Sequence, residues 1–276
     1  MPKTIRRVAR VVVSDKKRFP VVVLQFCRES DYFLRKCCNR DQADPKEKSM
    51  SDSRPQVLAQ KNFLQHRDRL ETMELKHRFA YIFENNLWGS DESHSGLGST
   101  LRETAALRRE IPALLREIGV HSVLDIPCGD FRWMNEMDME GIRYVGADIV
   151  EAIVAKNRQK FDCQTRRFVG LDLTCDQLPS CDVVLSRDCL VHLSYQNIGR
   201  ALKNVKRSGT NWLLMTNFLR IETNREIADG DWRPLNFELA PFGFPKPERT
   251  IVEGCVECDG AFDDKALCLW PIADIP

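Results

Sequence analysis

From about residue 100 to its end, the sequence predicts an α/β fold: a mostly parallel sheet with helices on both faces and an antiparallel hairpin at the close. Three observations predict it. Short apolar runs alternate with segments of helical character, the pattern of parallel strands joined by crossover helices. Acidic residues stand at the ends of three successive runs, where open α/β sheets hold ligands. The last two runs are joined by the turn-rich D-G-A-F-D-D and can pair antiparallel at the sheet edge.

The strand runs are Ser122 to Ile126, Arg143 to Ala147, Arg167 to Val169, Asp182 to Ser186 and Asn211 to Thr216, followed by Thr250 to Val256 and Ala266 to Ile272. Ahead of them a helix is predicted to start at Thr100, whose hydroxyl can cap the first turn while Glu103 answers as in a capping box. Its core stripe is Leu107, Ile111, Leu114, Leu115 and Ile118; Pro112 kinks or restarts it, and Gly119 stops it. From Gln56 to about Phe83 the pattern is again helical, with Leu58, Phe63, Leu70, Met73, Leu75 and Phe79 on one face. The segment Asn86 to Ser99 is rich in Gly and Ser yet carries Trp88, so it reads as a structured loop. Three regions follow: a basic, poorly ordered arm and linker over 1–53, a helical extension with a lid loop over 54–99, and the α/β domain over 100–276.

At 276 residues, 43% hydrophobic and 29% charged, the chain can bury one large core. Its net charge of +1 argues against a surface built throughout for nucleic acid or anionic membrane. That average conceals an asymmetry. Residues 1–40 hold 11 Lys and Arg against 3 Asp and Glu, so the rest of the chain sums to −7. The arm reads as a weak targeting or anchoring segment, a disordered basic tail, or an upstream extension if translation begins at Met50. Its apolar runs, Val11 to Val13 and Val21 to Phe26, are too short for a membrane span or a secretory signal. An odd count of 11 cysteines in a chain of this size points to reduced thiols and a cytoplasmic location.

The first strand runs into V-L-D-I-P-C-G-D-F, with Asp125 ahead of a tight turn at Gly129. The second ends in Y-V-G-A-D-I, placing Asp148 23 positions later, beside Ile149; there a carboxylate can accept from both hydroxyls of a ribose. The third leads into L-D-L, with Asp172 24 positions further on, able to accept from an adenine amine while Leu171 or Leu173 packs on the ring. Each acid alone would be an ordinary turn or helix cap. Together they resemble the class I S-adenosylmethionine-dependent methyltransferases.

That resemblance spans about residues 100–276 and implies a Rossmann-like, seven-stranded sheet ending in an antiparallel hairpin. It also implies S-adenosylmethionine as cofactor, with Asp125, Pro127 and Gly129 near its methionine part, Asp148 and Ile149 at the ribose, and Asp172 and Leu173 at the adenine. N-L-W-G-S-D-E-S, D-I-P-C-G-D-F, R-D-C-L-V-H-L and W-R-P-L-N resemble a bacterial-type subgroup to which no substrate is assigned. Where many members carry three alternating glycines, this chain has Pro127, Gly129 and Phe131, so binding requires the Phe131 ring to stay out of the cleft. A dinucleotide dehydrogenase is the competing reading, but Pro127, Asp130 and Phe131 suit a pyrophosphate poorly.

The fourth strand leads into S-R-D-C-L-V-H-L, the expected active-site wall. If the acceptor is a hydroxyl, Asp188 or His192 can take its proton; the alternatives are a helix cap for Asp188 and a packed, hydrogen-bonded role for His192. Arg187 is assigned to a carboxylate of cofactor or substrate, or to a neighbouring acid. On the substrate side the candidates are Trp88, with Ser95 beside it in the lid loop, and Trp232, Arg233 and Asn236 in the aromatic segment 230–247. The alternative for that segment is that it plugs the sheet edge as core. Cys255 and Cys258 form a C-x-x-C pair without a second pair, so no metal is assigned. The functional expectation is O-methylation of a small molecule or sugar-linked metabolite. A non-catalytic interaction module on the same fold, or a protein or nucleic-acid acceptor, stays open; nucleic acid is not expected, and the oligomeric state is not set by the sequence.

Overall fold

Residues 54–276 of the computed structural model are described; the basic arm, with its readings, lies outside the described residues. Seven strands form one sheet: β1 (Ser122–Asp125), β2 (Arg143–Asp148), β3 (Arg166–Gly170), β4 (Val183–Ser186), β5 (Trp212–Phe218), β6 (Arg249–Val252) and β7 (Lys265–Pro271). Their order is β3-β2-β1-β4-β5-β7-β6. The first five are parallel, while β7 inserts antiparallel between β5 and β6. All seven runs read from the sequence are present. They were legible because strands covered on both faces become nearly unbroken apolar runs, and β1 and β4 are buried at every position.

The period-2 alternation of side chains divides each strand between two cores. Leu124, Val184, Leu213, Cys268 and Trp270 join one cluster, and Val123, Val183, Leu214, Leu267 and Leu269 the other. The first is completed by α1 (Leu58–Glu71), α2 (Leu75–Glu84) and α5 (Tyr195–Arg207), through Phe63, Leu70, Phe79, Ile82, Ile198 and Val205. The second is completed by α3 (Ala105–Glu117), through Leu107, Ile111, Leu114 and Leu115. Between β2 and β3 lies α4 (Glu151–Phe161), whose Ile153 and Val154 fall in different clusters.

Local departures from expectation have local causes. The helical stretch from Gln56 is two helices, separated at Thr72–Glu74 and tied to the body by Arg78, which donates to the carbonyls of Asp229 (2.7 Å) and Met73 (2.9 Å). Thr100 Oγ1 does accept from the Glu103 amide at 3.3 Å. The Glu103 carboxylate, however, accepts from the Val256 amide at 3.1 Å rather than closing a capping box, and α3 begins only at Ala105. Pro112 does not restart α3, which runs on through it, and the residue is buried with the core stripe. Between β6 and β7 the chain makes a turn at Glu257–Gly260 in which Cys258 and Asp259 hold positive φ. No helix among the described residues is long and apolar enough to cross a membrane.

Candidate active site at the carboxyl ends of the parallel strands

The turn after β1 is built around Gly129, whose φ of +55° favours glycine and whose absent Cβ would lie 2.3 Å from Ser95 Oγ. The turn is held from three sides. The Gly129 amide donates to Asp148 Oδ2 (3.1 Å), Asn157 Nδ2 donates to the Gly129 carbonyl (2.8 Å), and the Asp130 amide donates to Ser95 Oγ (2.9 Å). Ser93 Oγ adds a bond to Asp130 Oδ2 at 2.8 Å, so the 86–99 loop is fastened directly onto the glycine turn. Phe131 points elsewhere. Its ring sits 5.0–5.1 Å from those of Tyr144, Phe161 and Phe168 and is 3% exposed, so it leaves the cleft open.

A cleft of about 1000 Å³, counting the space that is open to solvent, lies above these strand ends. It is lined by Asp125, Pro127, Gly129, Asp148, Ile149, Asp172, Leu173 and Arg187, the eight residues given to the cofactor on sequence grounds. The parallel register causes this: Asp125 pairs with Gly146 and Asp148 with Gly170, so successive strands end side by side. Asp148 is buried, and its Oδ1 accepts from the Val150 amide at 2.9 Å. Burial pushes its carboxyl up to about 6, against the pull of these backbone donors. Burial likewise raises Asp125 to about 7, opposed by a 2.6 Å bond from the Tyr144 hydroxyl. Asp172 is turned by its neighbour, with Oδ1 accepting from both the amide and the hydroxyl of Thr174 at 2.7 Å.

This donor set fits S-adenosylmethionine. Two carboxylates with lone pairs to spare can accept from ribose hydroxyls and an adenine amine, the apolar Ile149 and Leu173 can flank a base, and the glycine turn leaves backbone uncovered.

Past β4 the two candidate bases differ sharply. Asp188 has φ +52°, and its carboxylate is held by Lys265 Nζ (2.6 Å) and Arg187 Nη1 (3.2 Å). Those two cations, outweighing burial, keep it well below the usual carboxylate range, which makes it a poor proton acceptor. Arg187 in turn is engaged by Glu253 (2.6 Å) and by the Gly98 carbonyl (2.8 Å), so the acid it serves belongs to the protein, although it also lines the cavity. His192 is 8% exposed, and burial lowers its pKa to about 4. Its Nδ1 lies 2.8 Å from the Asp231 carbonyl, which can only accept, so Nδ1 carries the proton and Nε2 keeps a lone pair.

Of the four residues assigned to substrate, Trp88 lines the cavity and Trp232, Arg233 and Asn236 do not. Trp232 stacks edge-on with Phe218 and Phe262 in a separate apolar cluster. Asn236 donates to the Ile221 carbonyl and accepts from the Glu238 amide. Arg233, fully buried, donates to the carbonyls of Leu190 (2.9 Å) and Leu193 (2.6 Å), the two ends of the turn that carries His192. The 230–247 segment thus packs as core against β5 and β7, which are interior strands, rather than at the sheet edge, and it braces His192. Arg233→Ala would strand two buried carbonyls and is expected to cost about 2–5 kcal/mol of stability, measured by denaturant unfolding; a substrate-contact role would leave stability unchanged.

Sequence reasoning missed Leu75, Phe79, Ser99, Trp133 and Cys189 as lining residues. Leu75 and Phe79 carried only a core-stripe signal. Cys255 is buried in the cluster around Phe262, with Cys258 packed against it. The eight described cysteines are all free, and among the described residues no group of three or more His, Cys, Asp or Glu is placed to hold a metal.

Residues 123–209 match the family model described as a methyltransferase domain. No curated protein matches the chain. Among solved structures, it is similar to the 1,6-didemethyltoxoflavin-N1-methyltransferase of Burkholderia thailandensis, with 17% identity, 75% of this chain and 89% of that one covered, and a TM-score of 0.49. It is also similar to a TehB-like S-adenosylmethionine-dependent methyltransferase from Corynebacterium glutamicum (19% identity, 61% and 91% covered, TM-score 0.40). A third is the magnesium protoporphyrin IX methyltransferase of Synechocystis with bound S-adenosylmethionine (14% identity, 58% and 83% covered, TM-score 0.41). The matched family model runs from β1 through α5, the stretch that carries the glycine turn, the three strand-end acids and His192, so that over residues 123–209 the chain is similar to a methyltransferase domain.

Proposed function

We propose that this enzyme methylates a hydroxyl oxygen of a small molecule, with His192 as the base. The observation that carries the reading is a neutral imidazole, its Nδ1–H fixed on a carbonyl and its Nε2 unprotonated, lining the same cavity as Asp125, Asp148 and Asp172. Asp148 and Ile149 would hold the ribose, Asp172 and Leu173 the adenine, and Asp125, Pro127 and Gly129 the methionine part. Bound there, S-adenosylmethionine supplies a methyl carbon on a positively charged sulfur, which keeps the electron pair when an attacking oxygen takes the carbon.

The protein's own share is positioning, exclusion of water and removal of one proton. Arg233 and the Asp231 carbonyl orient His192, while the 86–99 loop, fastened at Asp130 and Arg187, covers the cavity. A small acceptor is favoured over nucleic acid because residues 41–276 sum to −7 and because carboxylates line the cavity. The free thiols suit a cytoplasmic setting. The test is incubation with methyl-labelled S-adenosylmethionine and a panel of hydroxylated metabolites. Label is expected on oxygen, with transfer lost in His192→Asn; label on nitrogen or carbon alone overturns the reading.

A further inference from the structure

Phe79 from α2, Trp88 from the 86–99 loop and His192 from the turn after β4 all line the cavity. The Phe79 and Trp88 rings are 6.5 Å apart and inclined by 30°, and Trp88 lies 6.0 Å from His192. Three separate segments therefore build one aromatic wall, ending at the residue read as the base. Such a wall pairs well with another ring and poorly with a polyhydroxylated one, whose hydroxyls would lose water without gaining partners.

Charge narrows the choice further. Among the described residues five carboxylates line the cavity, those of Asp125, Asp130, Asp148, Asp172 and Asp188, and Arg187 is the only lining cation. Its guanidinium is engaged by Glu253, Asp188 and the Gly98 carbonyl, and the nearby Lys265 by Asp188 and Glu253. Since the cofactor's own methionine carboxylate already has first claim on any cation here, an acceptor bearing a further carboxylate or phosphate would be buried without a free cation among the described residues. The base adds a constraint of its own. With His192 held at about 4 by burial, proton transfer from a phenolic hydroxyl near 10 is uphill by about six powers of ten, and from an aliphatic hydroxyl near that of water, 15.7, by about twelve.

We propose that the methyl acceptor is an uncharged aromatic or heteroaromatic molecule with a ring hydroxyl, seated against the Phe79–Trp88–His192 wall. The proposal rests on the methyl-transfer reading of the same cavity and narrows its acceptor from small molecules at large, sugars included.

The experiment uses binding, read separately from turnover. Full-length protein is first titrated with S-adenosylhomocysteine by calorimetry; failure at that step removes the methyl-transfer reading and this proposal with it. The loaded protein is then titrated with 2-naphthol, with decahydro-2-naphthol, its saturated counterpart, and with 6-hydroxy-2-naphthoate, its anionic one. We expect 2-naphthol to bind about tenfold more tightly than the saturated alcohol, the effect of one aromatic contact, and at least about tenfold more tightly than the naphthoate, the effect of one avoided unpaired charge. Trp88→Leu should remove that preference while S-adenosylhomocysteine still binds, and Phe79→Leu should reduce it. Equal or tighter binding of the naphthoate or the saturated alcohol, or no binding of 2-naphthol to protein that holds S-adenosylhomocysteine, overturns the proposal.

Discussion

Replacing Asp148 by alanine is expected to weaken S-adenosylhomocysteine binding by about 100-fold or more in calorimetry. A buried carboxylate accepting from two ribose hydroxyls makes two charge-assisted bonds, each on the order of 1.5–3 kcal/mol. Asp148 also holds the glycine turn through the Gly129 amide and the start of α4 through the Val150 amide, so its loss loosens both walls of the cavity. The same residue sets a pH dependence. With its carboxyl at about 6 in the fold, the acceptor form is present above that pH and is lost as pH falls through it. Affinity should be level from about pH 7 to 8 and about tenfold lower at pH 5. Repeating the titration in Asp125→Asn, which keeps an acceptor for the Tyr144 hydroxyl, removes the second group that titrates in this range. A profile that stays level to pH 5 in that variant would show that the Asp148 charge does not hold the cofactor.

His192→Asn is expected to lower kcat by about 10²- to 10⁴-fold, the usual worth of a positioned base, while leaving the affinity for S-adenosylhomocysteine within about threefold. Asparagine keeps an N–H that can reach the Asp231 carbonyl, so the turn is preserved and the lost function is the lone pair on Nε2. Protonation of His192 in the fold occurs at about 4, so the wild-type rate should show no loss from this group between pH 5 and 8. Stability carries the complementary signature. Because the folded state releases the proton that a free histidine would hold below about 6.5, His192 costs stability as pH falls from about 6.5 toward 4, and the Asn variant should be spared that part of the acid destabilisation. Thermal unfolding at pH 7.5 and pH 5 for both proteins measures it. An unchanged kcat would return the base role to another group or to water.

Much of the site was legible because parallel-sheet geometry converts spacing in sequence into neighbourhood in space. Asp125, Asp148 and Asp172, each just past the end of an apolar run, come to one rim because the strands they follow are adjacent and in register. Asp188 and His192 were equal candidates from sequence, since both follow β4 closely. What separates them is partners: Lys265 and Arg187 on one, a lone backbone carbonyl on the other. Lys265 begins β7, 77 positions away, and its arrival beside Asp188 depends on β7 inserting next to β5.

The 230–247 segment shows the opposite outcome. Its Trp, Arg and Asn have the composition of a binding loop, yet Arg233 spends its donors on the backbone of the His192 turn and Trp232 on a satellite core. Composition reports what a side chain can bond to; only the fold decides whether those bonds go to ligand or to main chain. For Phe131, too, sequence located a bulky ring in the turn, whereas the positive φ that swings it toward Tyr144, Phe161 and Phe168 is a tertiary result.

The sequence by itself determined the seven strands and the order in which acids meet the sheet rim, because burial on both faces and strand-end placement leave a local, periodic imprint. Tertiary structure alone decided which titratable group stays free to take a proton, which aromatic rings line the cavity and which only fill the core. Those properties depend on residues brought together from distant parts of the chain, and no short-range pattern records them.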